Sequence, residues 1–586
     1  MKDPTSLFPT ENSSGDAEKE LLVKQRSVSS SEDGTTYDIA TTTRSACIVA
    51  VSTGAILALL CFVTGIYIFA TNGKTLVAPW SISSAGQEAL VLAVNAVLTL
   101  CIDGMMLVHS VSLRWALYRD GRLEYNTNIR LFTSLKSSGP NKWYINALAL
   151  FCLVLSYGSS SILLLDNQEI DTNVEWSEVV SGQTRLAVNA TALVALALGL
   201  AGQAAIAVWC LTLSSSKLIV PTWSSNPLNT TLAAMQNAKL THRPGRCMLS
   251  VHQRHEPSNQ AVYPAAKQGN ILQAQRGTVQ YILTLLWTLA IFAIAWPIAV
   301  AAVSMRIGNA SAYGQAATKE PSVSCWRFGF DWNEDSSACF RNYVTLSLSP
   351  SANTHNPNAG TFSYGAQAVL CLLLVCAIQA GQTIALHCAE LLVNLSRDEA
   401  TWRKAYSNNS ETTKKRETAA AAAAPGGAQL RTNPFSANVS SWESIVLFIA
   451  KAVMHWIIGR SVLPSIGLED NGESYYSPYQ NGLQFDMVYS RLIIFAVLAI
   501  LLAVFATYLA LQKTRGCQPA TFGHLQTLAD LVDDWETDHN GRLWWGDKTL
   551  CGEADSDGQT RHAGTSCDRA LLSPIYAGAA YSGMNT

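Results

Sequence analysis

The chain has 586 residues and a formal net charge of −2, with 49% hydrophobic and 14% charged residues. A near-neutral total says little by itself, no nucleic-acid partner is expected, and no nucleotide-binding glycine loop marks a soluble enzyme. The charge is sorted along the chain between long apolar runs, and that sorting sets the class.

Residues 1–45 are polar and Ser-rich and read as a disordered cytosolic tail. Within them Arg26 precedes Ser27, Ser29, Ser30 and Ser31, with Glu32 and Asp33 after, a pattern that suits a kinase. No cleavable signal precedes the first apolar run, which then serves as an uncleaved anchor.

Eight apolar runs follow, at about 46–70, 88–112, 144–165, 186–213, 279–305, 365–393, 441–459 and 487–512. Each can cross a hydrocarbon core of about 30 Å as a helix, and unpaired backbone is not tolerated in lipid. The seventh run carries Glu443, Lys451 and His455 and by itself also fits an interfacial helix. Loop charge decides between these. Lys and Arg number 5 in residues 1–45, 6 in 113–142, 7 in 214–278, 7 in 394–440 and 6 from 513 onward. The alternate loops hold Lys74, Arg185, four residues in 306–364 and none in 464–486. Positive residues collect on the cytosolic side of short loops. The alternation closes only if 441–459 crosses.

The expected fold is therefore an all-α polytopic membrane bundle of eight transmembrane helices over residues 46–512, with both termini cytosolic. Residues 113–142, 214–278 and 394–440 are then cytosolic loops, 513–586 a cytosolic C-terminal tail, and 306–364 the main extracytosolic loop. The lipid bilayer is the first partner. The expected location is the plasma membrane or another membrane of the secretory pathway.

Of the 14 cysteines, only Cys325 and Cys339 fall in an outer loop, and they are expected to form a disulfide around Trp326, Phe328, Phe330 and Trp332. A closed loop of about 15 residues gains roughly 3 kcal/mol in the chain-entropy model. Asn309 begins a glycosylation sequon next to the fifth run. Cys247, His252 and His255 have no standard zinc spacing.

Polar residues inside the runs are the candidate site, because charge at mid-membrane is costly and faces protein or water. Asn95, Thr99 and Asp103 recur every four residues in the second run. Gln379, Gln382, Thr383 and Glu390 form a stripe in the sixth, with His387 at its edge. Lys451 and His455 are one turn apart in the seventh, and Asn189 and Gln203 share a face of the fourth. Asp103 and Lys451 lie near mid-helix and are expected to pair or share a hydrated cavity. The first and eighth runs carry no comparable stripe and are assigned to the lipid-facing periphery. Ala195 and Gly199, and Ala201 and Ala205, are spaced for close helix approach. Pro297 is expected to kink the fifth helix.

In the tail, Leu525, Leu528, Val532 and Trp535 fall on one face of an expected amphipathic helix, with Asp530, Asp533 and Asp534 toward the other. That helix should dock on the protein's own cytosolic loops. The stretch from Glu536 through Asp538, Asn540 and Gly541 to Asp547 approximates a calcium loop but departs from it at both ends. The alternative is an Asn-Gly turn into a strand, Arg542–Trp545.

These readings give three function classes. The first is movement of a small solute or metabolite across the membrane, with the polar stripes as lining. The second is a non-catalytic sensor, scaffold or accessory factor. The third, an integral membrane enzyme, is the weakest, because His109, His387 and Glu390 do not complete an acid–base or metal set. No cofactor and no metal are expected, and no inverted repeat joins the halves. The pieces HLQTLADLVDDW, RLWWGDK and RHAGTS in the tail, with PTWSSNPLNTT after the fourth run, resemble a group of uncharacterised multi-pass integral membrane proteins of filamentous fungi. The resemblance implies a fungal source and a single folded unit from the first run to about residue 566, and it carries no activity.

Overall fold

The structure, a computed structural model of the chain, describes residues 37–72, 75–166, 183–213, 219–257, 261–310, 343–348, 364–406, 426–431, 441–466, 483–549 and 560–582. Eight helices among these are long and apolar enough to cross a membrane: α1 (Thr41–Thr71), α2 (Ser84–Arg119), α3 (Trp143–Ser161), α4 (Ala190–Leu213), α5 (Arg276–Ala310), α6 (Tyr364–Arg403), α7 (Trp442–Ser461) and α8 (Tyr489–Leu511). The protein is thus a polytopic helical membrane protein. Cys325, Cys339 and the four aromatic residues between them lie outside the described residues, as do Ser27 to Asp33; Asn309 is in the last turn of α5.

Several boundaries differ from the sequence reading. Thr41–Ser45 belong to α1 rather than to the tail. Residues 164–165 and 186–189, read as ends of the third and fourth spans, lie in strands, as do 487 and 488 ahead of α8. α2 and α6 run well past the expected ends, to Arg119 and Arg403.

The strands explain those differences. β1 (Thr75–Ser83), β2 (Leu164–Asp166) and β3 (Gln183–Asn189) form an antiparallel sheet in the order β1-β3-β2. β4 (Tyr343–Leu348), β6 (Val462–Ile466) and β7 (Leu483–Val488) form a second, in the order β4-β7-β6. In each, the first strand joins the first two helices of a half and the other two strands form the connection between its last two helices. The two halves of the bundle therefore share one plan: helix, strand, long helix, short helix, strand, strand, helix. The packing repeats too, with α1 on α4 and α3 on α4 in the first half, and α5 on α8 and α7 on α8 in the second. One hydrophobic core is drawn chiefly from α1–α4 and another from α5–α8. Four spans per half give both halves the same direction through the membrane, so this is a parallel repeat.

Close approach inside the first half depends on Gly199. A Cβ there would lie 2.5 Å from Ser156 Oγ and 3.0 Å from the Cys152 carbonyl of α3. Ala201 and Ala205, by contrast, point outward.

On the face opposite the two sheets, the basic connections fold together as a cap. A third core joins Leu228 and Leu232 of a short helix (Pro227–Gln236), Trp402 of α6, and Leu528, Leu531, Trp545 and Tyr581 of the tail. A small sheet contributes β5 (Ala428–Gln429), β8 (Arg542–Asp547) and β9 (Ala563–Ser566). The tail docks as expected, but its helix spans only Leu525–Leu531. It stops because Asp533 turns to accept from Thr565 N at 2.7 Å and His562 Nε2 at 3.0 Å, which ties the chain to β9. Asp530 is buried rather than solvent-facing and holds Arg243 Nη2 at 2.5 Å. The calcium reading fails: Asp547 is fully buried, taken by Arg561 Nε at 2.6 Å and Tyr581 Oη at 2.8 Å. The Asn540-Gly541 turn into β8 is what forms, with Gly541 at φ 72°.

Candidate functional site

The polar stripes of α2, α3, α6 and α7 meet where the two halves face each other. α7 supplies the centre. Lys451 Nζ lies 2.8 Å from Asp103 Oδ1 and 3.0 Å from Oδ2 on α2, and 3.2 Å from Glu390 Oε2 on α6. The ammonium is sealed, at 2% exposure, whereas the side chains of Asp103 and Glu390 retain 29% and 37%. The pair is therefore open from the carboxylate side. His387 Nδ1 is 3.6 Å from Glu390 Oε2. Asp103, His387 and Glu390 each offer an atom within 4.8 Å of the others, the spacing of a cation site. Lys451 supplies positive charge there already.

One turn along α7, His455 stacks on Tyr157 of α3 with ring centroids 3.6 Å apart and planes at 2°. Its Nδ1 lies 2.9 Å from Gln379 Oε1 and 3.2 Å from Gln382 Nε2. A proton on Nδ1 is donated to Gln379, leaving a buried Nε2 with no hydrogen-bond partner among the described residues. Gln379 Nε2 donates to Ser161 Oγ at 2.7 Å. Ser160 Oγ donates to Asn95 Oδ1 at 3.1 Å, and Tyr157 Oη reaches Thr99 Oγ1 at 3.4 Å. Thr383 returns its hydroxyl to the Gln379 carbonyl of its own helix. Of the expected residues only Gln203 and Asn189 stay apart: Gln203 donates to the Ala149 carbonyl at 2.8 Å, and Asn189 caps the start of α4.

Toward the sheets the series continues with a group the sequence reading missed. Glu88 of α2 accepts from Arg491 Nη2 of α8 at 2.9 Å, Arg460 Nε at 3.1 Å and Trp456 Nε1 at 3.1 Å, both on α7. Arg491 is 1% exposed, so α8 is not a bare peripheral helix; α5 is the least enclosed of the eight. The signal was present: an arginine inside an apolar run without an acid needs its counter-charge from another helix. Toward the cap, buried Arg130 donates to the Met106 carbonyl at 2.7 Å, and its charge acts on Glu390 and Asp103. Polar groups thus recur at successive levels from Glu88 to Arg130, in separate hydrogen-bonded sets.

The repeat passes through this site. Asp103 precedes Trp115 by 12 residues, and Glu390 precedes Trp402 by 12. Trp115 Nε1 donates to the Thr222 carbonyl and Trp402 Nε1 to the Pro519 carbonyl, each at 2.8 Å, in the segments after α4 and α8 respectively. Each segment then enters a short helix, capped by Asn226 in one and His524 in the other. The two carboxylates are equivalent positions of the two halves, and Lys451 has no counterpart: nine residues into α7 stands Lys451, nine residues into α3 stands Cys152. Compared with known proteins, the chain matches no protein-family model, no curated protein and no solved structure.

Proposed function

We propose that this protein moves a small solute across its membrane with proton movement coupled at Asp103, Glu390 and Lys451. The observation that supports the reading is one lysine bridging two repeat-equivalent carboxylates at the seam between halves. Parallel-repeat transporters place substrate and coupling sites at that position. Protonating either carboxylate removes one of the two charges that hold Lys451, so proton occupancy sets how tightly α2, α6 and α7 are drawn together. His455, Tyr157 and Gln379 offer a relay toward the sheets. On this reading the side of the membrane richer in Lys and Arg, where the cap lies, is cytosolic, and the membrane is that of the cell surface or secretory pathway of a fungal cell.

The test is flux in proteoliposomes that hold a trapped pH indicator and are challenged with a panel of sugars, amino acids, carboxylates and amines. Wild-type protein should give a solute-dependent pH change that Asp103→Asn and Lys451→Met abolish. No response from the wild type to any class overturns transport. A second reading, as a sensor or scaffold, draws on the folded cap packed on α6. It would then stand instead.

A further inference from the structure

Where α5 begins and α8 ends, on the cap side, lies a cavity of about 520 Å³, well apart from the central site in its lining. Its walls are fixed by backbone. Gln268 N donates to the Thr514 carbonyl at 2.9 Å and Gly516 N to the Ala266 carbonyl at 3.0 Å, which places Lys267 and Lys513 on one small ribbon. Asn270 and Gln273 cap each other and start the turn that leads into Arg276. Gln268 is held from behind by Ser250 Oγ at 2.6 Å. Gly269 keeps the cavity open, since a Cβ there would lie 2.6 Å from His252 Nδ1.

Three full cations line this space: Lys267, Arg276 and Lys513. None of them is in an ion pair among the described residues. Residues 261–280 and 511–520 contain no Asp or Glu. Like charges gathered in a built concavity repel unless an anion joins them. The surroundings favour an anion with acyl chains. Tyr281 and Phe132, both half-exposed, meet edge to face at 6.0 Å on the α5 side. Tyr508 and Leu511 of α8 present exposed apolar surface just below Lys513. Aromatic residues at this level mark the headgroup zone, and basic pockets between helices at the inner membrane face are made for phosphate headgroups.

We propose that this cavity binds the phosphate-bearing headgroup of an anionic membrane lipid, with the chains lying along α5 and α8. Its volume is in the range of small-molecule sites, roughly 300–1,000 Å³. The test uses full-length protein in phosphatidylcholine nanodiscs, titrated with short-chain phosphatidylinositol phosphate and followed by native mass spectrometry. Saturable binding is expected, and Lys267→Gln/Arg276→Gln/Lys513→Gln should weaken it roughly 100-fold. Gly269→Leu, which fills the cavity and keeps the charge, should weaken it as well. If the triple variant does not fold, Lys513→Gln alone should lose several-fold, because Lys513 is exposed and supports no packing. Unchanged binding in the variants overturns the site. Inorganic phosphate or free inositol phosphate competing as strongly as the lipid overturns the lipid assignment. Neither result bears on transport.

Discussion

Lys451 is the residue on which the centre depends. Removing one member of a buried ion pair strands the other and costs about 3–5 kcal/mol. Lys451→Met should lose thermal stability by less than that, because it strands Asp103 and Glu390 but both carboxylates keep partial exposure. Asp103→Asn should cost less, because Glu390 still holds the ammonium. In the double variant the losses should fall short of additive, and strict additivity would show that the two residues do not interact. These positions were legible because a charge in an apolar run stands out and the four-residue spacing of Asn95, Thr99 and Asp103 puts them on one face. Glu88, Arg460 and Arg491 were not, because charges within a turn or two of a span end read as boundary residues. A second titrating site sits in the cap. The hydrogen bond that His562 gives to the Asp533 carboxylate, with Cys247 alongside, pushes the imidazole up to about 9 from 6.5 against the opposing effect of burial. Burial pulls Asp533 upward, but its bonds to His562, Thr565 and Lys548 outweigh that and hold it well below the usual carboxylate range. A raised histidine adds stability that is complete below pH 6.5 and is lost as pH rises through about 9. Amide exchange in residues 563–566, corrected for its intrinsic pH dependence, should therefore speed up between pH 6.5 and 9.5. His562→Gln should flatten that rise, and a profile identical to wild type would remove His562 as the cause.

At the scale of elements, helix existence followed from apolar length alone, and helix ends did not. The ends of α3, α4 and α8 were shortened by strands of three-stranded sheets, each sheet completed by a strand from another connection, which local apolar content cannot report. The tail helix lost its last turn to contacts with β9, so a face drawn through Trp535 had no helix to carry it. Gly199 shows packing at this scale. It lets α4 sit against α3 at backbone distance, and larger residues there must overpack. Gly199→Val should cost about 1–3 kcal/mol in thermal stability, while Ala201→Val, on the outward face, should cost little. Equal effects would contradict the placement. α6 is the element that joins two regions. Glu390 lies in its membrane part, and Glu399 lies farther along. Glu399 accepts from Thr521 N at 2.8 Å and Phe522 N at 2.9 Å. Phe522 is held at φ 45°, a conformation unfavourable for an aromatic residue. The Glu399 carboxylate stabilises that turn, so the tail is fixed to the same helix that presents Glu390.

For the whole molecule, the lesson is the doubled plan. Two four-helix units with matching sheets face each other, and each sends a long helix through the seam into the cap. The tryptophans at 115 and 402 and the segments they hold give the register of the two halves. In that register the two halves differ in charge at the seam, with Asp103 facing Glu390 and Lys451 supplied by one half alone. Two copies of the first unit would bring aspartate against aspartate, with a cysteine where the ammonium now stands. Such a dimer would be held apart by the very groups meant to close it. Fusing the units into one chain frees each copy to change alone, and a basic residue needed only once is the sort of change that a symmetric pair of subunits cannot make.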